Sequence, residues 1–366
     1  MNRGIIVTGT RPQIIKTAPI MEAFQKEGSD QVLVHTGQHY DSNLDKDIFS
    51  DLQIPSPDYH FKIKGLSPED QISQIIHELT NTIDSEKPDF LIAIGDTNTA
   101  LAAALSAFKK DLPVAHIEAG VRNYNYYYQE EVNRRIIDIG SSYLFPPTKS
   151  AEKNLLEEKV MGEVRWVGDT MLDVFLKLKP SVESIRDNIV ASYTKNNDEF
   201  VLVTLHRREV VDNIELLGPI LKQLNKIGKE VIFPIHPRTR KNVERSNFEI
   251  TKLSNVKLLN PLIYTEFHSL LSKSSLVSTD SGGLQKEAYF WNVPCITIRD
   301  TKTSWPETLE DDANILLHPE DKTIVETAEK QIGRNLSNDL SVFGKGNSSK
   351  LIVEKLLGEE LKLPVR

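Results

Sequence analysis

The chain has 366 residues, too many for one hydrophobic core and comfortable for two, with a hydrophobic fraction of 39% and a charged fraction of 26%. Its 52 acidic residues against 44 basic ones, a formal net charge of -8, leave no basic footprint for nucleic acid. No apolar run approaches the ~20 residues of a membrane span, and Ile5-Ile6-Val7 is too short for a signal-peptide core, so a cytoplasmic protein is expected.

The first expected strand covers residues 4–8 and breaks at Gly9-Thr10-Arg11-Pro12 into an amphipathic pattern over 14–26. Further strands are expected at 31–36, 90–95, 114–118, 143–146 and 164–167, with a second amphipathic pattern over 71–85. A charged, Asn-rich stretch at 194–198 follows, and the boundary between two domains is expected between Asp173 and Asp198. Strand-like runs then recur at 200–205, 230–235, 256–259, 275–279, 295–298 and 314–316. This alternation predicts an α/β fold of βαβ units with mostly parallel sheets and helices on both faces. The lone Cys295, in the apolar run Val293–Ile296, is expected as a buried thiol. No GxGxxG follows a strand, and the first turn lacks the Gly-Lys-Ser/Thr ending of a P-loop.

The chemically loaded residues follow strand ends, where ligands bind in open α/β sheets. In LVSTDSGGLQKEA, residues 276–288, a strand gives way to Asp280, Ser281, Gly282 and Gly283 and then to a helix. Free N–H groups and the positive dipole end favour an anion there, and glycines let phosphates approach. Glu287 lies within the next turns, suited to two ribose hydroxyls. A diphosphate joined to a sugar is thus expected, against the alternative of a purely structural turn. Arg11 and Lys16, at the first strand-to-helix turn, suit charge compensation for a diphosphate.

Asp96, Glu118 and the pair Glu130–Glu131 are candidates for proton transfer, burial being expected to raise a carboxylate's pKa. Asp96 also reads as a helix N-cap. His116 alternates with Glu118, and HTGQH holds His35 and His39, but no third metal ligand stands near either pair and no metal is expected. His206 and His236 each end a strand and head a basic cluster. The run of Tyr124, Tyr126, Tyr127 and Tyr128 reads as a loop.

Taken together, GTRPQIIKTAPI, HTGQHYD, GDTNT, HIEAGVR, QEEVNRR, LFPPT, VGDTMLD, HRRE, PIHPRTRK, TDSGGLQKEA and TSWPETLE resemble, in order, the non-hydrolysing UDP-N-acetylglucosamine 2-epimerase family. The resemblance implies two Rossmann-like domains facing a central cleft in the glycosyltransferase-B manner, at about 1–175 and 176–350, with a last helix in 351–366 crossing back. It implies a homodimer, no cofactor, and an isomerase that interconverts UDP-GlcNAc and UDP-ManNAc through elimination and re-addition of UDP. Carried over by position, Asp96, Glu118, Glu130 and His206 are its catalytic residues. Arg11, Lys16, Arg134, His206, Asp280, Ser281, Gly282, Gly283 and Glu287 hold the UDP-sugar, and Gln38, Arg207 and His236 match a second, activating UDP-sugar site. Three positions depart from the pattern: Gln13 for Glu, NYNYYYQEE where a Pro precedes the carboxylates, and Trp305 for an Arg that touches UDP. Two alternatives accompany this reading. One is 2-epimerisation of UDP-2,3-diacetamido-2,3-dideoxy-glucuronate, with Arg122 or Arg134 for the extra carboxylate. The other is a UDP-sugar-dependent glycosyltransferase on the same fold.

Overall fold

Runs such as GIIVT, FLIAI and FVLVT are apolar at nearly every position, so the sheets they form need cover on both faces. The computed structural model describes residues 2–38, 49, 51–63, 65–195, 199–246, 248–299, 302–358 and 360–364. It divides into two compact units, Met1–Lys177 with Leu340–Arg366, and Leu178–Asp339.

The first unit runs β1 (Gly4–Thr8), α1 (Arg11–Lys26), β2 (Val32–His35), β3 (Tyr59–His60), α2 (Pro68–Glu86), β4 (Phe90–Ile94), α3 (Asn98–Phe108), β5 (Val114–Ile117), α4 (Gln129–Gly140), β6 (Tyr143–Phe145), α5 (Lys149–Glu157) and β7 (Glu163–Val164). All strand pairs are parallel, in the order β3-β2-β1-β4-β5-β6-β7, with Ile5 level with both Val32 and Leu91. After α6 (Thr170–Tyr193) the second unit runs β8 (Phe200–Thr204), α7 (Arg208–Val211), α8 (Ile214–Leu224), β9 (Glu230–Pro234), α9 (Pro237–Arg245), β10 (Val256–Leu259), α10 (Tyr264–Lys273), β11 (Leu276–Thr279), α11 (Gly282–Phe290), β12 (Cys295–Ile298), β13 (Asn314–Leu317) and α12 (Ile324–Gln331). Its sheet is also parallel, in the order β10-β9-β8-β11-β12-β13. A last helix, α13 (Ser348–Gly358), packs on α1 in the first unit. The carboxylate of Asp173 accepts from the backbone N–H groups of Ser348 and Ser349 at its start.

Side chains alternate between faces as the pleat requires. Val201 and Val203 of β8 pack with Leu217 and Leu221 of α8, while Phe200 and Leu202 pack with Leu270, Leu271 and Ala288. In the first unit Ile5, Val7, Leu91 and Ala93 pack with Leu79, Ala100 and Ala104. Each fully buried side chain of this size contributes about 1.5–3 kcal/mol. Cys295 is buried as expected, and burial pushes its thiol up to about 12.

Two details differ from the expected elements. β3 is a two-residue edge pairing, too short to leave a periodic signal. The helix expected from 71 begins at Pro68, because the Ser67 hydroxyl accepts from the Asp70 N–H and supplies the missing cap. No helix among the described residues is long and apolar enough to cross a membrane. Strand order reverses between β1 and β4 in one unit and between β8 and β11 in the other. At such points the strand ends open a crevice.

His35 ends β2, 1% exposed, its ring stacked on His60 at 5.1 Å. Burial, then the neighbouring His60, pushes its pKa from 6.5 down to about 4. Between those values the unfolded chain takes a proton that the folded chain refuses, so stability falls as pH drops through the window. Urea midpoints measured across it should decline more steeply for the wild type than for His35→Asn.

Candidate functional site

At the first unit's crevice, the Gln13 amide ties the turn after β1 to the end of β4. Its oxygen accepts from the Gly9 N–H at 3.0 Å and its nitrogen donates to the Ile94 carbonyl at 2.8 Å. One turn further on, buried Lys16 places Nζ 2.5 Å from Glu118 Oε2. Glu118 follows β5 with φ +68°, and Gly95 follows β4 with φ +69°. A Cβ on Gly95 would stand 3.8 Å from Glu118 Oε1 and 3.9 Å from Lys16 Nζ, so the ion pair lies directly above this turn. Next along, Asp96 pairs with Arg134 of α4, and its carbonyl accepts from Asn133 Nδ2 at 2.9 Å. Burial alone would lower the Arg134 pKa, but Asp96 and Glu131 outweigh it and raise it. Two carboxylates therefore occupy adjacent turns, each facing a buried cation rather than an apolar wall. Ionised carboxylates so placed can accept a proton from a bound molecule.

Several candidates thereby receive definite places. Lys16 serves Glu118, and Arg134 serves Asp96 and Glu131. Thr97, not Asp96, caps α3, accepting from the Ala100 N–H at 3.2 Å. His116 is fully buried, with Nδ1 2.6 Å from Asp138 and Nε2 2.8 Å from the Gly95 carbonyl. His39 lies outside the described residues, and among those described no group of three His, Cys, Asp or Glu is placed to hold a metal. Gln38 accepts from the N–H and hydroxyl of Thr99. Arg11 stands half-buried at the start of α1, and Glu130 is half-buried in the first turn of α4. Glu131 is fully buried, accepting from the Asn123 N–H, Arg134 and Arg135.

In the second unit Asp280 is fully buried and pins the turn after β8. Its Oδ2 accepts from the N–H groups of His206 and Arg207, both at 2.8 Å, and Oδ1 lies 3.3 Å from His206 Nδ1. Burial lowers the His206 pKa; Arg207 and Arg299 add to this, and Asp280 opposes it. The ring therefore holds a proton less firmly than a free imidazole. His236 lies 5.7 Å away, ring to ring, and its Nδ1 accepts from the Arg238 N–H at the start of α9.

The Ser281 hydroxyl caps α11, accepting from the Leu284 N–H. Neither Gly282 nor Gly283 has a positive φ, and a Cβ on Gly283 would meet nothing within 4 Å. A Cβ on Gly282 would reach only Trp305 Nε1, at 3.7 Å. Neither backbone strain nor packing among the described residues accounts for these glycines. They keep a helix N-terminus bare, the condition for phosphate to reach its N–H groups. Behind them, Tyr264 donates to Glu287 Oε1 at 3.0 Å and His268 Nε2 stands 3.3 Å from the same oxygen. The Trp291 indole donates to His268 Nδ1 and so fixes the ring against Glu287. Lys286, 1% exposed, places its ammonium 3.6 Å from the centre of the Trp305 ring, so the indole stands against α11.

Asn133, Asp138, His268 and Lys286 are the supporting residues that sequence reasoning missed, while Glu131, a candidate for proton transfer in the sequence, is a buried partner of Arg134 and Arg135. For α4 a signal existed: Glu131, Arg134 and Asp138 share one helical face and are buried, whereas Val132, Ile136 and Ile139 share another and are exposed.

The family model of UDP-N-acetylglucosamine 2-epimerase matches residues 22–357. A UDP-N-acetylglucosamine 2-epimerase of Methanococcus maripaludis is 40% identical, over 97% of this chain and 98% of its own. A UDP-2,3-diacetamido-2,3-dideoxy-D-glucuronate 2-epimerase of Pseudomonas aeruginosa is 37% identical, over 96% and 98%. The crystal structure of the Methanocaldococcus jannaschii UDP-GlcNAc 2-epimerase in complex with UDP-GlcNAc and UDP matches with a TM-score of 0.88 at 39% identity, covering 98% of this chain and 100% of that one.

Gly283→Ala tests the reading of α11. Alanine in a first helical turn should leave the melting temperature unchanged or raise it, a gain of up to about 1 kcal/mol. Pyrophosphate binding, followed by calorimetry, should weaken by about tenfold or more as the methyl fills the cradle.

Proposed function

The chain belongs to the UDP-N-acetylglucosamine 2-epimerase family, and from that premise we propose that it interconverts UDP-GlcNAc and UDP-ManNAc without hydrolysing them. A carboxylate takes the C2 proton, the electron pair of that bond forms C1=C2, and the C1–O bond to UDP breaks. This anti elimination gives 2-acetamidoglucal and UDP. Return of the UDP oxygen to C1, with a proton delivered to the other face of C2, yields the epimer. The sequence is redox-neutral, and every proton it moves can be handled by side chains.

The observation that carries this reading is the pair of cation-held carboxylates at one strand-order reversal, Asp96 and Glu118, together with the bare N-terminus of α11 at the other. We assign proton transfer to Asp96, Glu118 and Glu130. His206, Arg11, Ser281 and the glycine N–H groups serve the departing diphosphate, where developing negative charge is largest. Glu287, oriented by Tyr264 and His268, takes the ribose hydroxyls. Gln38, Arg207 and His236 are the residues we assign to a second, activating UDP-sugar.

The diacetamido-glucuronate alternative needs a cation for its extra carboxylate. Arg122 has a fully buried side chain held by Asp138 and Glu158, and Arg134 is held by Asp96 and Glu131. Neither is on offer, which favours the simpler sugar. A glycosyltransferase would have little use for the carboxylates. A cytoplasmic homodimer fits the same reading: Val132, Ile136 and Ile139, 38%, 37% and 68% exposed, form an apolar stripe on α4 that a second copy would cover.

Proton NMR with UDP-GlcNAc in D2O should show UDP-ManNAc with deuterium at C2, and absence of conversion with UDP still bound would overturn the substrate. Asp96→Asn, Glu118→Gln and His206→Ala should each lower kcat by about 10²–10⁴-fold in a chain that still folds. The two carboxylate variants should have a lowered melting temperature, because each leaves a cation without its partner. Near-wild-type turnover in two of them would refute the roles. By sedimentation velocity the wild type should run as a dimer, and Ile136→Glu with Ile139→Glu as a monomer.

A further inference from the structure

Asp96 and its neighbour Gly95 are the two ends of one closed circuit of hydrogen bonds and ion pairs. From the Gly95 carbonyl the path enters His116 Nε2 at 2.8 Å and leaves by Nδ1 to Asp138 Oδ1 at 2.6 Å. Asp138 Oδ2 lies 2.7 Å from Arg122 Nη2, and also accepts from the Gly120 N–H, two residues past Glu118. Arg122 grips Glu158 with two bonds of 3.0 and 2.7 Å, and Glu158 Oε1 accepts from Arg135 Nη1 at 2.9 Å. Arg135 Nε donates to Glu131 Oε1 at 3.2 Å, Arg134 Nη1 to Glu131 Oε2 at 3.3 Å, and Arg134 Nη2 to Asp96 Oδ2.

The contacts run without a break. Asp138, Glu158, Glu131 and Asp96 face three guanidinium groups, and the two ring nitrogens of His116 bridge Asp138 and Gly95 O. Burial works to raise the Asp138 carboxyl, but His116 and Arg122 outweigh it and hold it below the usual carboxylate range. The circuit fixes a backbone carbonyl on one side of the Gly95–Asp96 bond and a side chain on the other. It thereby restrains the backbone and side-chain torsions of Asp96 that lie between them, and through Gly120 it also braces the turn that carries Glu118.

We infer that Asp138 and Glu158 are positioning residues of the reaction: they touch no reacting group, and they aim Asp96 and Glu118 through this circuit. The inference rests on the epimerase reading. Displacement of a reacting group by about 1 Å can cost 10²-fold in rate while ground-state binding survives. Opening the circuit once releases both ends, so a second cut should add little.

The test uses the full chain with Glu158→Gln, Asp138→Asn and the double variant. Each single variant should lose about tenfold to 10²-fold in kcat, with KM for UDP-GlcNAc and the Kd of UDP within about threefold of wild type. The double variant should be no slower than the slower single. Losses that multiply, KM rising as kcat falls, or wild-type kcat in Glu158→Gln would overturn the inference. Should Asp138→Asn fail to fold, Glu158→Gln decides, since that carboxylate is 26% exposed at the end of α5. The Asp96 carboxyl carbon resonance, identified by its loss in Asp96→Asn, should move in both single variants, and an unmoved resonance would overturn the inference independently of turnover. Failure of the epimerase reading itself would appear as an inactive wild type.

Discussion

Buried carboxylates need partners, and the geometry of the first unit follows from meeting that need. Taking an ion out of water costs several kcal/mol after relaxation, and a close, hydrogen-bonded counterion offsets that cost. Lys16 answers Glu118, Arg134 answers Asp96, and Arg122 answers Asp138. Each pair joins a helix or loop to a turn at the end of a central strand. Removing one partner would leave an uncompensated charge, so the pairing holds the turns in place. The left-handed backbone at Gly95 and Glu118 is a consequence: these residues leave their strands in the direction that brings the carboxylates to the cations. For the non-glycine Glu118 such a conformation costs of order 1–3 kcal/mol, a cost the surrounding contacts must sustain.

The second unit solves the opposite problem. In the proposed reading the ligand brings the charge there, so donors and room are what the protein must present. Asp280 points inward and accepts from the N–H groups of His206 and Arg207, which stiffens the β8 turn. Ser281 satisfies one helix-end donor, and the two glycines leave space before the rest. Lys286 and Trp305 stack behind this cradle. The indole thus fills, with an apolar plane backed by a buried cation, the place where the family pattern has an arginine.

α4 links these themes to assembly. A surface helix of an isolated protein turns its apolar face inward. α4 does so only with Ile137, because the rest of its inner face, Glu131, Arg134 and Asp138, is an electrostatic frame for Asp96, and Val132, Ile136 and Ile139 are left outside. The exposed stripe is the observation on which the proposed homodimer rests. It was legible in the order Glu131, Val132, Arg134, Ile136, Asp138, Ile139, given only the helical period. Arg135 lies over the rings of Tyr124 and Tyr126, at 5.7 and 5.0 Å, so the tyrosine run belongs to the same frame.

The sequence by itself determined the α/β class, most strand positions, the buried cysteine and the residues that follow strand ends, because these depend on local periodicity and turn chemistry. It also carried the family resemblance, through many short motifs in order. Only the tertiary structure decided which partner each charge takes. Lys16 reads equally well as a phosphate ligand or as a counterion, and Asp96 equally well as a cap or as an acid–base group. Glu118 and Lys16, Arg134 and Asp96, and Glu287 and His268 are each brought together by the packing of helices on sheets, over sequence distances at which no period operates. Hydrogen bonding and ion pairing act over a few ångströms in space, and a chain's sequence records distance only along itself.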